Sequence, residues 1–102
     1  QLKVLWLGGN QLTNVKGLEK LTQLTGLILT SNKLTEVKGL ENLTQLTRLY
    51  LGSNKLTEVK GLEKLTQLTY LDLRLNPALT KAQIDELKKA LPKCEIISNP
   101  TK

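Results

Sequence analysis

The sequence repeats with a period of 22 residues, and this repetition restricts the chain to a stack of similar coils. The repeated pattern is L-x-x-L-x-L-x-x-N-x-L, and one copy runs from Leu46 to Leu56. Two copies precede it and one follows it at the same spacing, although Ala78 replaces the last leucine of the fourth copy. A fixed period of this length is typical of a solenoid, in which each repeat buries its apolar side chains against its neighbours.

The two halves of each repeat predict different local structures. In the first half, Leu49-Tyr50-Leu51 and its copies alternate with a period of two, which predicts a short strand with the leucines facing inward. Strands one coil apart would then pair as a parallel sheet with rungs about 4.8 Å apart. In the second half the apolar residues are three apart, as in Val15 and Leu18, which predicts extended chain followed by a tight 3-10 turn.

One asparagine recurs at the end of each strand segment. A polar residue at a fixed register resembles a binding site, but in a stack of coils it serves better inside the corner. There its amide pairs with backbone groups of its own coil and of the neighbouring coil. We therefore predict a structural ladder formed by Asn10, Asn32, Asn54 and Asn76.

The pattern changes after Asn76 and predicts one helix. Thr80 is a candidate N-cap with Gln83 three residues later, which is the spacing of a capping box. Pro92 would end the helix. The flanking positions Leu79 and Ile84 suit a hydrophobic staple. The apolar face predicted for this helix comprises Ile84, Leu87, Ala90 and Leu91.

The strand pattern returns once more after the helix. Asn99 follows Asn76 by 23 residues, and this spacing places Cys94 and Ile96 in the two inward positions of a last partial rung. Cys94 would then fill a buried leucine position, so we interpret it as a small core residue rather than a reactive thiol.

Together these motifs resemble the leucine-rich repeat family, and within it the 22-residue internalin-type repeats of bacteria. The second half-repeat, L-T-x-V-x-x-L-x-x-L-T, carries the resemblance as well as the strand half does. It implies an α/β solenoid: a right-handed superhelix with a parallel sheet on the concave face, a thin extended or 3-10 convex side and one C-terminal helix. We expect one domain over 1–102, with repeats at about 2–23, 24–45, 46–67 and 68–90, a partial rung at 91–99 and a C-terminal cap at 77–102.

Several classes of function lack their residues in this sequence. Without histidine the chain has no triad of the usual kind and no histidine metal site, so we expect no enzyme, no metal and no cofactor. The formal charge of +6 is spread at the repeat period rather than concentrated, which argues against nucleic acid. No apolar run reaches the roughly 18 residues of a membrane span. A single cysteine leaves the compartment open, either cytoplasmic or extracellular.

The copies differ from one another mainly at the outward strand positions. All three aromatic residues and both arginines of the chain fall in three outward columns. Tryptophan, tyrosine and arginine are enriched in binding hot spots, and the concave sheet is the usual binding surface of the family that the chain resembles. We therefore predict a protein or peptide partner bound by Val4, Trp6, Ile28, Arg48, Tyr50, Tyr70, Asp72, Arg74, Lys93 and Glu95. Trp6, Ile28, Tyr50, Asp72 and Glu95 are assigned to one column, and Val4, Gly26, Arg48, Tyr70 and Lys93 to the next.

Three other interpretations stay open at this point. Strand propensity alone accounts for some of these residues, such as Ile28. The near-identical coils and the abrupt start at Gln1 also fit a fragment, a processed product or an engineered scaffold without a ligand of its own. Finally, an uncapped first rung would leave apolar side chains and a strand edge open to self-association, and so to a homodimer.

Overall fold

A computed structural model describes residues 3–99. Five strands form one parallel sheet in chain order: β1 Val4–Trp6, β2 Gly26–Ile28, β3 Arg48–Tyr50, β4 Tyr70–Asp72 and β5 Glu95–Ile97. Three 3-10 turns, Leu18–Lys20, Leu40–Asn42 and Leu62–Lys64, connect the first four strands, and helix α1, Lys81–Ala90, precedes the last. The predicted solenoid is confirmed. Leu2, assigned to the first repeat, and residues 100–102, assigned to the cap, lie outside the described residues.

Pairing of equivalent leucines holds the strands in register. Leu27 pairs with Leu5 on one side and with Leu49 on the other, and Leu49 pairs with Leu71. Because side chains alternate along a strand, these leucines enter the interior while Ile28 and its equivalents face outward. Leu27, Leu49 and Leu71 are completely buried. The predicted leucine core is therefore present, and it determines which face of the sheet is left uncovered.

The first coil, which corresponds to the first repeat and is described from residue 3 to about residue 23, is less well buried than the coils that follow it. Leu5, Leu7 and Leu12 are only partly buried, whereas their counterparts in the second and third coils are fully buried. The first coil packs against one neighbour within the described residues, and the second and third pack against two. We infer that burial of each leucine depends on the presence of both adjoining coils.

The asparagine ladder forms as predicted in the three later coils. Asn54 is buried; its Nδ2 donates to Leu51 O at 3.0 Å and to Leu29 O of the preceding coil at 3.1 Å. Its Oδ1 accepts from Leu34 N at 3.1 Å. Asn32 and Asn76 repeat these contacts. Asn10 differs, because it is exposed and its Nδ2 donates to Gly8 O at 3.2 Å.

A left-handed glycine sets up each 3-10 turn. Gly39 has φ +106°, a conformation that side-chain-bearing residues seldom adopt, and its equivalents Gly17 and Gly61 are similar. Two residues later the side chain of Glu41 accepts a hydrogen bond from Gly39 N at 2.8 Å. Hydrogen bonds from the backbone N–H groups of Glu41 itself and of Gly39 lower the pKa of Glu41. The repeated glycine and glutamate therefore serve the turn.

The predicted capping box of the helix is present. Thr80 Oγ1 accepts from Gln83 N at 3.2 Å, and Gln83 Oε1 accepts from Thr80 N at 2.9 Å. The helix ends at Ala90, before Pro92. Of the predicted apolar face, Ile84, Leu87 and Leu91 are buried, while Ala90 is exposed and lines a surface pocket together with Leu87 and Val59.

The register predicted for the last rung was wrong by two residues. Ile96, not Cys94, pairs with Leu71, and Glu95, not Lys93, pairs with Tyr70. Paired positions in β4 and β5, the strands on either side of helix α1, are therefore 25 residues apart in the sequence, whereas the earlier pairs are 22 apart. Even so, Asn99 joins the ladder 23 residues after Asn76, as predicted, since its Oδ1 accepts from Asn76 N at 3.0 Å.

The corrected register changes the interpretation of the residues before β5. Cys94 lies ahead of the strand and is half-buried rather than enclosed in a leucine position. Burial, followed by the charge of Glu95, raises the pKa of the Cys94 thiol. Because a shift of two residues preserves the alternation of faces, Ile96 still points inward as predicted.

Candidate functional site

The face of the sheet opposite the leucine core is the candidate site, and we call it the open face. Its first column holds the first residue of each strand: Val4, Gly26, Arg48, Tyr70 and Glu95. Its second column holds the third residue of each strand: Trp6, Ile28, Tyr50, Asp72 and Ile97. A third column, two residues further along the chain, holds Gly8, Thr30, Gly52 and Arg74. Nine of the ten residues predicted to bind a partner lie in these columns.

Lys93 is the one predicted site residue that lies outside the columns of the open face. It precedes β5 by two residues, so it occupies none of the sheet positions to which it was assigned. Glu95 belongs to the first column beside Tyr70, and Ile97 takes the place in the second column that had been given to Glu95. The last rung therefore presents an exposed carboxylate next to a tyrosine and a partly buried isoleucine next to Asp72.

A groove of about 720 Å³ runs over the first three strands. Its sides are formed mainly by apolar and aromatic side chains, and Trp6 is 75% exposed beside it. Gly8 and Thr30 of the third column have small side chains or none, and they leave one side of the groove open. The residues that line it are Val4, Trp6, Gly8, Gly9, Gly26, Ile28, Thr30, Ser31, Arg48 and Tyr50.

Two tyrosines form the centre of the open face. Tyr50 and Tyr70 are half-buried, and their ring centroids lie 5.2 Å apart with the ring planes tilted by 48°. Tilted pairs at this distance attract each other beyond the area that they bury. The tyrosines therefore support each other and offer a partner a preorganised aromatic surface.

Asp72 was predicted as an exposed contact residue, and this prediction was wrong. Its exposure is 6%, because the Arg74 side chain folds over it. A Cβ atom at Gly52 would lie 3.3 Å from the backbone oxygen of Arg74, so a side chain there would press on the residue that covers Asp72. Burial tends to raise the pKa of Asp72, but the hydrogen bonds and charge of Arg74 outweigh it and lower that pKa.

The two arginines of the open face differ in their electrostatic state. Arg74 is neutralised by Asp72, with Nη2 and Oδ2 3.0 Å apart. Arg48 is exposed at the groove, and among residues 3–99 no carboxylate oxygen lies within 4.0 Å of its nitrogens. Arg48 thus gives the groove its one positive charge among the residues that line it.

Leu75 is a surface residue that the sequence prediction missed. It is 67% exposed and has φ +60°, a left-handed conformation that is unfavourable for a large side chain. The equivalent positions Ser31 and Ser53 adopt the same conformation with small polar side chains. A comparison of the copies at this position would have identified Leu75 as the exception.

The described residues contain no arrangement that suggests a metal site or a membrane span. Between residues 3 and 99, no group of three or more cysteine, aspartate or glutamate side chains is placed to hold a metal ion. Over the same range, none of the helices combines the length and the apolar character that crossing a membrane requires.

Comparison with known proteins identifies the family. Residues 1–42 and 44–89 match the family described as Leucine Rich repeats (2 copies). The chain belongs to the leucine-rich repeat family. Leucine-rich repeat proteins generally mediate protein–protein interactions, and those similar to this chain are typically binding modules without catalytic activity. None of the curated proteins compared by sequence matches this leucine-rich repeat chain.

Two solved structures are similar to this leucine-rich repeat chain over nearly all of its length. A leucine-rich repeat protein of Leptospira interrogans is 39% identical with a TM-score of 0.85, over 93% of this chain and 25% of the other. An internalin of Listeria monocytogenes is 30% identical with a TM-score of 0.88, over 99% of this chain and 30% of the other. These similarities support the bacterial, internalin-like type of repeat. The chain spans less than a third of the length of either protein.

Proposed function

We propose that this chain is a non-enzymatic binding module that holds a protein or peptide on its open face. The observation that carries the proposal is Trp6, a large aromatic side chain that is 75% exposed at the side of an apolar groove. Such a residue contributes little to the fold while it remains in water, and a partner that covers it gains its burial. Ile28 and Tyr50 line the same groove.

The size of the open face limits the kind of partner. Five rungs about 4.8 Å apart, each with about four residues at 3.3 Å, give a projected area of roughly 300 Å². A standard protein interface buries about 800 Å² on each partner. The open face therefore suits a peptide segment, or it forms part of a larger binding surface.

Selection from a displayed library of random 12-residue peptides tests the proposal. We expect enriched peptides whose affinity falls by about fivefold or more in Trp6→Ala and in Tyr50→Ala, a loss of about 1 kcal/mol that only a minority of interface residues reach. Lys38→Ala, an exposed change on the side of the 3-10 turns, is the control and should leave affinity unchanged. The proposal fails if no peptide is enriched, or if the enriched peptides bind both aromatic variants as well as the original chain.

A second candidate is self-association through the first coil. Within residues 3–99, Leu5, Leu7 and Leu12 are only partly buried, and β1 is an edge strand of the sheet. Apolar side chains beside an open strand edge favour pairing with another chain. Sedimentation equilibrium at increasing protein concentration measures this directly, and a strict monomer at high concentration would exclude it.

A further inference from the structure

Gly26 has no evident role in the fold at the bottom of the groove. It lies in the interior of the sheet and has no positive φ that would require glycine. A Cβ atom there would lie 3.4 Å from Val4 Cγ2, which is ordinary contact. Glycine within a strand costs about 0.5–1 kcal/mol relative to alanine. Gly26 is buried beneath Val4, whose side chain packs against the place that a Cβ would take, so the absence of a side chain at Gly26 keeps the surface between Val4 and Arg48 low.

The space over Gly26 is surrounded by apolar groups and by one cation. Val4, Trp6, Ile28 and Tyr50 supply the apolar and aromatic surface, and the groove lining contains no carboxylate. Arg48 is the direct neighbour of Gly26 across the β2–β3 pairing. A bulky apolar side chain of a ligand would therefore lie next to a guanidinium group.

The charge of Arg48 favours an acidic ligand. Arg74 already pairs with Asp72, so a ligand carboxylate would gain less from it, whereas Arg48 has no such partner among residues 3–99. A guanidinium group binds a carboxylate with two parallel hydrogen bonds, and the apolar surroundings of the groove reduce the competition from water. The net charge of +6 attracts the same class of ligand over longer distances.

We infer that the groove binds an extended peptide in which an aspartate or glutamate lies within two residues of a bulky apolar side chain. The apolar side chain occupies the space over Gly26 and the carboxylate pairs with Arg48. Paired strand positions are about 4.8 Å apart, and side chains on one face of an extended peptide repeat about every 6.6 Å, so both contacts are within reach of adjacent or alternate residues. The inference rests on the proposed binding function of the open face and specifies its ligand.

Two variants test the inference with the same random 12-residue peptide library. We expect peptides selected on the original chain to carry Asp or Glu within two residues of Phe, Tyr, Trp, Leu or Ile. Peptides selected on Arg48→Glu should instead carry Lys or Arg in that place, because the reversed charge now repels acids. Gly26→Val should weaken the binding of the original peptides by about tenfold or more while the chain stays folded, because the added side chain meets only the exposed side chain of Val4.

The outcomes separate this inference from the proposed function. If the selected peptides depend on Trp6 but show no acidic preference, or if Arg48→Glu selects the same sequences, the inference is wrong and the binding function stands. Full affinity in Gly26→Val would also refute it. If no peptide is enriched, or the enriched ones ignore Trp6, the binding function and the inference fail together. Circular dichroism of each variant establishes that it is folded.

Discussion

Arg74 folds back over Asp72 and forms a two-point ion pair with it. Nε of Arg74 lies 3.1 Å from Oδ1, and Nη2 lies 3.0 Å from Oδ2. The Arg74 backbone N–H also donates to Oδ1 at 3.0 Å. Three hydrogen bonds from one residue therefore satisfy a carboxylate that is nearly inaccessible to water. The pair occupies the β4 rung of the open face and leaves Arg48 as the available cation of the groove.

Asp72→Asn should destabilise the fold in a pH-dependent way. At pH 7 we expect a loss of about 1–2 kcal/mol in the free energy of unfolding, the low part of the range for hydrogen bonds to charged groups because Arg74 is solvent-exposed. The pKa of Asp72 is lowered from 3.8, so its contribution is fully present above that value and is lost as the pH falls through the lower folded-state pKa.

Urea unfolding from pH 7 down to about pH 2 measures this dependence, which linkage of protonation to folding requires. The difference between the original chain and Asp72→Asn should be constant above about pH 5 and shrink in stronger acid. Asp85→Asn removes an exposed ion pair with Lys81 and serves as the control with a much smaller effect. A difference for Asp72→Asn that does not change with pH would contradict the assigned role of the ion pair.

The asparagine ladder predicts unequal costs at equivalent positions. Asn54→Ala would leave buried backbone groups of two coils without partners, so we expect a loss of about 2–4 kcal/mol in the free energy of unfolding. Asn10→Ala removes a contact of an exposed side chain and should cost less than about 1 kcal/mol. Denaturant titration compares the two, and equal losses would disprove a ladder that depends on burial.

Leu75 should be one of the few positions where a polar substitution stabilises the chain. Leu75→Asn places a residue that tolerates φ +60° at an exposed site, and we expect a gain of about 0.5–1 kcal/mol. The reverse change one coil earlier, Ser53→Leu, should cost a similar amount. Melting curves of both variants measure the effect, and a loss of stability in Leu75→Asn would show that the leucine makes a necessary contact.

The stack should be less stable at its first coil than in its middle. Leu49→Ala deletes a fully buried side chain and should cost about 3–5 kcal/mol, whereas Leu5→Ala should cost roughly half as much because Leu5 is only partly buried. Amide hydrogen exchange should show the same order, with earlier exchange in β1 than in β3. Equal protection of the two strands would contradict it.

The thiol of Cys94 should react slowly in the folded chain. Burial raises its pKa, so the fraction of reactive thiolate at pH 8 is lower than in an unstructured peptide. We expect slow labelling by a disulfide reagent under native conditions and faster labelling in urea. A short peptide with the sequence of residues 92–96 provides the reference rate, and a native rate equal to it would show that the thiol is freely accessible.

The parts of the fold that depend on repetition could be predicted from the sequence. Leu27, Leu49 and Leu71 recur at one spacing, and each must occupy the same position in its coil, so the sheet, its parallel pairing and its outward columns follow. Thr80 and Gln83 likewise identify the helix start because the capping box is local. These predictions needed no knowledge of contacts between different kinds of coil.

The rest depended on contacts that the repeat does not contain. The position of Asn99 correctly predicted the asparagine ladder but not the register of β5. The coil that contains helix α1 has extra residues before β5, and the segment from β5 to Asn99 is shorter than in the other coils. Asp72 looked exposed from its column alone, since the sequence does not show that Arg74 would cover it. The binding roles of Trp6 and Arg48 remain predictions until a ligand is measured.

Helix α1 gives the last coil a different thickness from the others. An α-helix is about 10 Å across, whereas successive rungs of the sheet are about 4.8 Å apart. The earlier coils match that smaller spacing with single 3-10 turns of three residues. The last coil is therefore thicker on its helical side than on its sheet side. A protein domain packed against it would be tilted relative to the axis of the preceding coils.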